Sequence, residues 1–246
     1  MSLIKISAVS YLNSKPFIYG IEKSGLMSNY KLELDIPSVC AEKFLQKKVD
    51  IGLVPVAIIP QLKEYYFISD YCIGAEKSVG SVMLYSTVPL QQITKIYLDY
   101  QSRTSVILAR ILAKNYWKIN PEWLNGILGY ENKIKETVAA VVIGDRTFEL
   151  KKKFPYSYDL AEEWNNYTKL PFVFALWIAN KKLPQEFLIS FNNALKFGIA
   201  NIDAVVKENS DFKINSKEYF TQRISFSFDN KKRKALERFL EEMKKL

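Results

Sequence analysis

Polar residues suited to binding a small anion come directly after the first apolar segment of the sequence. Residues 3–9 predict a buried strand, and the turn at residues 10–16 reads Ser-Tyr-Leu-Asn-Ser-Lys-Pro. A turn between a first strand and a first helix lies at the carboxyl edge of a sheet, where open α/β folds bind ligands. Tyr11 and Asn13 are therefore candidate site residues, although Asn13 can equally stabilise its own turn and Tyr11 can belong to the core.

A second polar turn has the composition of a carboxylate cradle. It joins a strand predicted at residues 93–99 to a helix predicted at residues 106–117. Free N–H groups, the helix dipole and a guanidinium would all point to one place there. Helix capping by a serine or threonine is the alternative that the residues leave open. The four candidates are Ser102, Arg103, Thr104 and Ser105.

Glycines next to polar residues mark two more candidate positions. Gly80 precedes Ser81, and a glycine lets the backbone approach a ligand closely, although it can also mark a strand bulge. Gly144 and Asp145 end a buried strand predicted at residues 139–145. Asp145 either caps the short helix that follows or faces the same cleft as the other turns.

The composition excludes several classes of site. The 246 residues include no histidine, which excludes a Ser-His-Asp hydrolase, a Cys-His protease and a His-ligated metal enzyme as these are usually built. The two cysteines, Cys40 and Cys72, make a structural zinc site very unfavourable, and we expect them to be buried and reduced. We therefore predict neither a metal nor a cofactor.

The net charge of +9 is carried largely by short clusters of lysine and arginine. Such clusters at element ends are typical of solvated surface, and the chain shows no basic stripe or module that predicts nucleic-acid binding. The longest apolar run, residues 172–179, is too short to span a bilayer, and no apolar signal core precedes the first strand. We expect a cytoplasmic protein with no membrane or nucleic-acid partner, and the sequence predicts no oligomeric state.

Alternating strands and helices predict an α/β fold with mainly parallel sheets. Two such units without a flexible linker predict two lobes with a ligand cleft between them. Residues 1–88 with 176–246 are predicted to form lobe 1, and residues 89–175 lobe 2. The chain would then cross between the lobes twice, at the two boundaries of lobe 2. This arrangement is typical of the periplasmic-binding-protein-like fold of type II, in which such crossings act as hinges. Within lobe 1, residues 184–207 predict one long helix, Ser216 the cap of a short helix and Asp229 the cap of a terminal helix. In lobe 2, Asp159 predicts the start of a helix, with Glu162 reaching back as in a capping box.

Several segments resemble, in order and spacing, the chorismate dehydratases of the futalosine route to menaquinone. The most specific are residues 9–16 and the Ser-Arg-Thr-Ser turn, and the match covers essentially the whole chain. The resemblance implies that chorismate, a dicarboxylate, loses its ring hydroxyl as water and becomes 3-[(1-carboxyvinyl)oxy]benzoate. The other matching segments are residues 50–55, 79–86, 143–145 and 170–175.

The same resemblance assigns roles to individual residues. Asn13 and Ser81 are the expected catalytic residues, and the turn at 102–105 is expected to bind a carboxylate. Gly80 stands where an arginine is common, and Tyr100 where a smaller residue is expected. The base is expected to be a carboxylate of the substrate, with one alternative in the protein. That alternative is Asp145, which we count with Tyr11 and Gly144 among the substrate-binding residues.

Three other functions are compatible with a fold of this kind. A sister family, which makes dihydroxynaphthoate from a cyclised futalosine, typically opens with a Ser-Pro-Cys-Pro-Asn-Asp turn and resembles this chain in fold, but it uses a histidine base. Neither feature is present here. A non-catalytic solute-binding protein for a small carboxylate would share the fold, but we expect no export signal. The effector domain of a transcription regulator is disfavoured because we find no DNA-binding helical module.

Overall fold

The computed structural model describes residues 3–212 and 214–246. Its strands are β1 Ile4–Val9, β2 Tyr30–Asp35, β3 Ile51–Pro55, β4 Tyr66–Ala75, β5 Val82–Ser86, β6 Lys95–Leu98, β7 Glu122–Asn125, β8 Val138–Ile143, β9 Tyr156–Asp159, β10 Phe172–Ala179 and β11 Ser225–Ser227. Its helices are α1 Lys15–Lys23, α2 Pro37–Leu45, α3 Thr104–Leu112, α4 Arg146–Leu150, α5 Leu160–Thr168, α6 Gln185–Ala200, α7 Ile202–Glu208, α8 Ser216–Glu218 and α9 Asn230–Met243. Wider π-type turns continue α3 over Ala113–Trp117 and α8 over Tyr219–Arg223.

The strands form two sheets, which confirms the predicted two-lobed α/β architecture. The sheet of the first lobe has the order β11-β4-β10-β3-β1-β2, and the sheet of the second lobe has the order β7-β6-β8-β5-β9. Parallel pairs occur where strands alternate with helices, as β1 with β2 and β3, and β6 with β7 and β8. The inserted strands β10 and β5 run antiparallel to both of their neighbours, as does β4. Among the described residues five of the nine strand pairs are therefore antiparallel, and the prediction of mainly parallel sheets is wrong.

The inserted strands show where the chain changes sheet. β5 pairs in the second lobe and the whole of β10 pairs in the first, so the changes lie between β4 and β5 and between β9 and β10. The sequence predicts lobe boundaries at 88/89 and 175/176, and the position of the hinges stays a prediction. An apolar run can be recognised as a buried strand from its residues, but its pairing partner depends on segments far away in the chain.

The observed helix ends confirm one predicted cap and show that two other predictions about helices are wrong. Asp229 caps α9 as predicted, with its carboxylate accepting a hydrogen bond from the Lys232 N–H at 2.9 Å. The helix predicted over residues 184–207 is wrong as a single element because it breaks into α6 and α7 at Asn201. The side chain that caps α8 is Asn215 rather than the predicted Ser216.

The core is rich in aromatic side chains and continues through both lobes. Phe172 of β10 packs edge-on against Trp164 of α5 and Phe239 of α9, with ring centroids 5.4 and 5.2 Å apart. The C-terminal segment therefore packs where the chain returns from the second sheet to the first. Cys40 and Cys72 are both buried, as predicted, and neither forms a disulfide.

Two glycines let α1 and α6 cross with their backbones in contact. A Cβ atom at Gly198 would lie 1.8 Å from the Pro16 carbonyl oxygen, and one at Gly20 would lie 1.9 Å from the Ala194 carbonyl oxygen. Distances this short leave no room for a side chain. Because α1 follows directly after the polar turn at residues 10–14, this crossing also holds that turn in place.

Substitution of Gly198 by alanine tests the crossing. In an ordinary helix the change would stabilise by about 1 kcal/mol. Here we expect a loss of about 2 kcal/mol in the free energy of unfolding, because the methyl group forces the two helices apart. Urea denaturation measures the change, with Asn193→Ala on the exposed side of α6 as the control. A more stable Gly198→Ala variant would show that the helices do not cross this closely.

Candidate functional site

A cavity lies between the two lobes, where the ends of several strands meet. It contains about 520 Å³ of space free of atoms, counting the part that is open to solvent. Its walls are largely apolar, which is usual for a small-molecule site with a few orienting polar groups. The apolar residues are Val9, Pro37, Pro55, Ile73, Val79, Val82, Ile143, Phe174 and Ala175.

The structure brings eight of the nine predicted site residues to this one cavity. They come from four turns, and the most distant pair, Tyr11 and Gly144, lies 133 residues apart in the chain. That these side chains act on a ligand stays a prediction. The eight are Tyr11, Asn13, Ser81, Ser102, Arg103, Thr104, Ser105 and Gly144.

Asp145, the ninth, does not line the cavity. Its carboxylate accepts a hydrogen bond from the Leu12 N–H, at 3.1 and 3.3 Å from the two oxygens. Its side chain makes no capping bond to α4 either, so neither local prediction for this residue describes its contacts. Burial raises the pKa of Asp145, while the Leu12 N–H and Lys15 act in the opposite direction. Asp145 therefore ties the turn of the first lobe to the end of β8.

Asn13 stands in the short 3₁₀ turn Leu12–Ser14, which its neighbours hold firmly. The Ser14 hydroxyl bonds to the Val9 carbonyl oxygen and lies 2.9 Å from the carbonyl oxygen of Tyr11. The side-chain oxygen of Asn13 is buried, and within the described residues it has no hydrogen-bond partner. Buried polar atoms are normally paired, so this acceptor is available to a ligand.

Tyr11 bridges the two lobes. Its ring packs on Gly144, where a Cβ atom would lie 2.7 Å from the ring, and its hydroxyl donates to the side-chain oxygen of Gln101. Gly144 has φ +70°, a left-handed conformation that favours glycine. A larger residue at this position would push the Tyr11 ring away and open the wall of the cavity.

Ser81 follows a loop whose backbone N–H groups bind the buried carboxylate of Asp159. One oxygen of the Asp159 carboxylate accepts hydrogen bonds from the N–H groups of Val79 and Gly80 at 2.8 and 2.6 Å. The other oxygen caps α5 by accepting from Ala161 and Glu162. The carbonyl oxygen of Ser81 in turn accepts from the Gly144 N–H at 2.9 Å. Ser81 itself lines the cavity at this point.

The Ser-Arg-Thr-Ser turn begins α3, but its members have different surroundings. The Ser102 hydroxyl oxygen caps the helix by accepting from the Ser105 N–H at 3.0 Å. The Thr104 hydroxyl donates to the Phe174 carbonyl oxygen at 3.1 Å and accepts from the Ala57 N–H at 3.3 Å, so it anchors the turn to the first lobe. Arg103 is exposed and makes no ion pair within the described part of the chain.

Arg103 carries the one charge among the described residues that line the cavity. The helix N-terminus beside it adds partial positive charge, so the site favours an anion. Among the described residues, no group of three or more His, Cys, Asp or Glu side chains could hold a metal ion.

Sequence reasoning missed the residues that support these turns. Asp99 accepts hydrogen bonds from the N–H groups of Gln101 and Ile143 at 2.9 and 2.8 Å, and it pairs with Arg146 at 2.6 Å. Asp159 was interpreted only as a helix cap, and Tyr219 not at all, although its hydroxyl bonds to Ser81. Apart from Asp99 and Gln101, which are neighbours in the sequence, the partners lie 44 to 138 residues apart, so nothing local marks these contacts.

The buried carboxylate of Asp159 predicts a pH effect on stability. Burial raises its pKa from 3.8 to about 6, and its four backbone N–H partners offset only part of that rise. The folded state therefore binds the proton more tightly than the unfolded state, so protonation of Asp159 stabilises the fold. This contribution to the free energy of unfolding is fully present below pH 3.8 and is lost as the pH rises to about 6. We expect the Tm of the wild type to fall relative to Asp159→Asn over that interval.

Thermal melting between pH 4 and pH 7 measures this difference in slope. Asp203→Asn, at a carboxylate that is 79% exposed, is the control and should parallel the wild type. Parallel curves for Asp159→Asn and the wild type would contradict the prediction, whatever the absolute stability of the variant.

Comparison with proteins of known sequence finds a relative of nearly the same length. A chorismate dehydratase from Campylobacter jejuni is 25% identical over 247 residues, covering 97% of this chain and 96% of that protein. This finding confirms the resemblance stated above, and the sister enzyme is not favoured. Among the described residues, no helix is both long and apolar enough to cross a membrane.

Solved structures with low identity show the fold. A protein from Archaeoglobus fulgidus matches with a TM-score of 0.78 at 13% identity, covering 98% of this chain and 97% of that chain. A Candida albicans gene product described as having the generic periplasmic binding protein fold matches with a TM-score of 0.63 at 12% identity, covering 100% and 91%. The predicted periplasmic-binding-protein-like fold is thereby confirmed.

A protein-family comparison covers almost the whole chain. The matching family is described as menaquinone biosynthesis, and the match runs from residue 4 to residue 245. It includes all four turns that meet at the cavity. The chain therefore belongs to the menaquinone biosynthesis family.

Proposed function

We propose that this protein is a chorismate dehydratase, which eliminates water from chorismate to give 3-[(1-carboxyvinyl)oxy]benzoate. The observation that carries the proposal is the convergence of the Tyr-Leu-Asn turn, Ser81 and the Ser-Arg-Thr-Ser turn on one cavity with a single cation. The relative from Campylobacter jejuni that carries this name supports it across the whole chain.

The cavity suits a ligand with one anchored carboxylate. Arg103 offers a guanidinium that has no partner among the described residues, and the first turn of α3 offers N–H groups that have no intrahelical acceptor. Ser102 and Ser105 add hydroxyls beside them. Because the Thr104 hydroxyl is engaged with Phe174 and Ala57, Thr104 would hold the cradle in position while its backbone faces the anion.

The second carboxylate of chorismate would then lack a cationic partner in the cavity. A carboxylate without a partner cation keeps more of its basicity than a paired one, particularly between apolar walls. No acidic side chain lines the cavity among the described residues, and the Asp145 carboxylate bonds to Leu12. These observations favour a substrate carboxylate as the base that removes the ring proton at C3.

Asn13 and Ser81 would orient the leaving hydroxyl and the enolpyruvyl arm. The unpaired side-chain oxygen of Asn13 can accept a hydrogen bond from a ligand hydroxyl, and the Ser81 hydroxyl can donate one to an oxygen. Aromatisation of the ring supplies the driving force, so the protein has to position groups rather than provide a strong base. Positioning of this sort contributes on the order of several kcal/mol.

The direct test is to incubate the protein with chorismate and follow the loss of one water by mass spectrometry. We expect conversion, and we expect Asn13→Ala and Ser81→Ala each to lower turnover on the order of 100-fold because an orienting contact is lost. Ser227→Ala, at an exposed serine of β11, is the control and should retain full activity. No conversion, together with tight binding of another small carboxylate, would favour a solute-binding protein instead.

The identity of the base is tested with Asp145→Asn. We expect kcat to stay within about threefold of the wild type, because the asparagine oxygen can still accept from Leu12, whereas loss of a general base costs about 10²–10⁴-fold. Steady-state turnover of chorismate measures the change, with Asp203→Asn as the matched surface control. A loss of 100-fold or more would make Asp145 the base.

A further inference from the structure

Ser81 shares a hydrogen bond with a buried tyrosine from the C-terminal segment. The Ser81 Oγ and the Tyr219 hydroxyl oxygen lie 2.7 Å apart. Tyr219 begins the π-type turn Tyr219–Arg223, and its ring packs edge-on against Phe148 with centroids 5.4 Å apart. This turn brings the Tyr219 hydroxyl to Ser81.

The direction of this hydrogen bond follows from counting the protons. Each hydroxyl carries one proton, and a single bond joins the two oxygens. Ser81 is the hydrogen-bond partner of the Tyr219 hydroxyl within the described residues. If Ser81 donated, the Tyr219 proton would be buried without an acceptor, which is costly. If Tyr219 donates, the remaining proton belongs to Ser81, which lines the cavity, so a bound ligand can accept it.

We infer that Tyr219 is a positioning residue, which donates to the Ser81 oxygen and thereby makes Ser81 a hydrogen-bond donor to the oxygen that leaves the substrate. This inference rests on the proposed function. Burial raises the pKa of the Tyr219 phenol, so it stays protonated and able to donate at neutral pH. A donor that itself accepts a hydrogen bond is polarised, which strengthens its contact with the ligand.

The chemistry explains why such a donor helps. The base takes the C3 proton, the electrons of that bond form the new ring double bond, and the C4–O bond breaks with its electron pair remaining on oxygen. The hydroxide that leaves and the removed proton together make one water, so no further reactant is needed. Negative charge grows on the leaving oxygen in the transition state, and a hydrogen bond from Ser81 is therefore stronger there than in the bound substrate.

Tyr219→Phe tests the inference with chorismate as substrate. We expect kcat to fall about tenfold, with KM changed less than about threefold, because the lost contact acts mainly in the transition state. We expect the double variant Tyr219→Phe with Ser81→Ala to be no slower than Ser81→Ala alone, since Tyr219 acts through Ser81. A purely structural role would not produce this lack of additivity.

Tyr85→Phe is the matched control. Its hydroxyl is also buried, but it donates to the Thr147 carbonyl oxygen at 2.9 Å, and its kinetic constants should match the wild type. An unchanged kcat for Tyr219→Phe, or losses that add in the double variant, would overturn the inference while an active wild type upholds the proposed function. A wild type that does not convert chorismate would overturn the proposed function and this inference with it.

Discussion

The contact between the first turn of the chain and the Gly144-Asp145 turn is the constraint on which the cavity depends. Asp145 accepts from the Leu12 N–H, and the Tyr11 ring lies directly on Gly144. Asn13 follows β1 of the first sheet and Ser81 precedes β5 of the second, and both line the cavity. Burying the Asp145 carboxylate removes water from it, which costs free energy. The hydrogen bond from the Leu12 N–H offsets this cost, and it forms only when the two turns are in contact. The two lobes therefore have a specific relative position rather than a loose one.

Around that contact the charges are arranged so that one anion is favoured at one place. Within the part of the chain that the structure describes, Arg103 forms no ion pair, whereas Arg146 is paired with Asp99 and Glu131 and supports the neighbouring turn. An unpaired cation at the mouth of a mostly apolar cavity attracts an anion and gives it a defined orientation. A chain without histidine can still support an elimination if the ligand brings its own base and the walls exclude water.

Many strands and helix ends could be predicted from short stretches of the sequence. The buried runs that became β3, β8 and β10 have no polar residue in their interior, and parallel alternation with helices indicated open sheets. The caps by Asp159 and Asp229 were also local, because each carboxylate bonds to N–H groups two or three residues ahead. The break between α6 and α7 was missed because the apolar stripe continues across it.

The sequence by itself determined which residue types were available for chemistry and that they stand at the ends of strands. It also excluded histidine-based mechanisms outright. Only the tertiary structure decided that Asp145 turns to Leu12, that the Thr104 hydroxyl is occupied, and that Tyr219 reaches Ser81. The physical reason is one of range: strand, turn and cap preferences act over a few residues, whereas these hydrogen bonds join residues 70 to 138 positions apart and exist only once both lobes have packed.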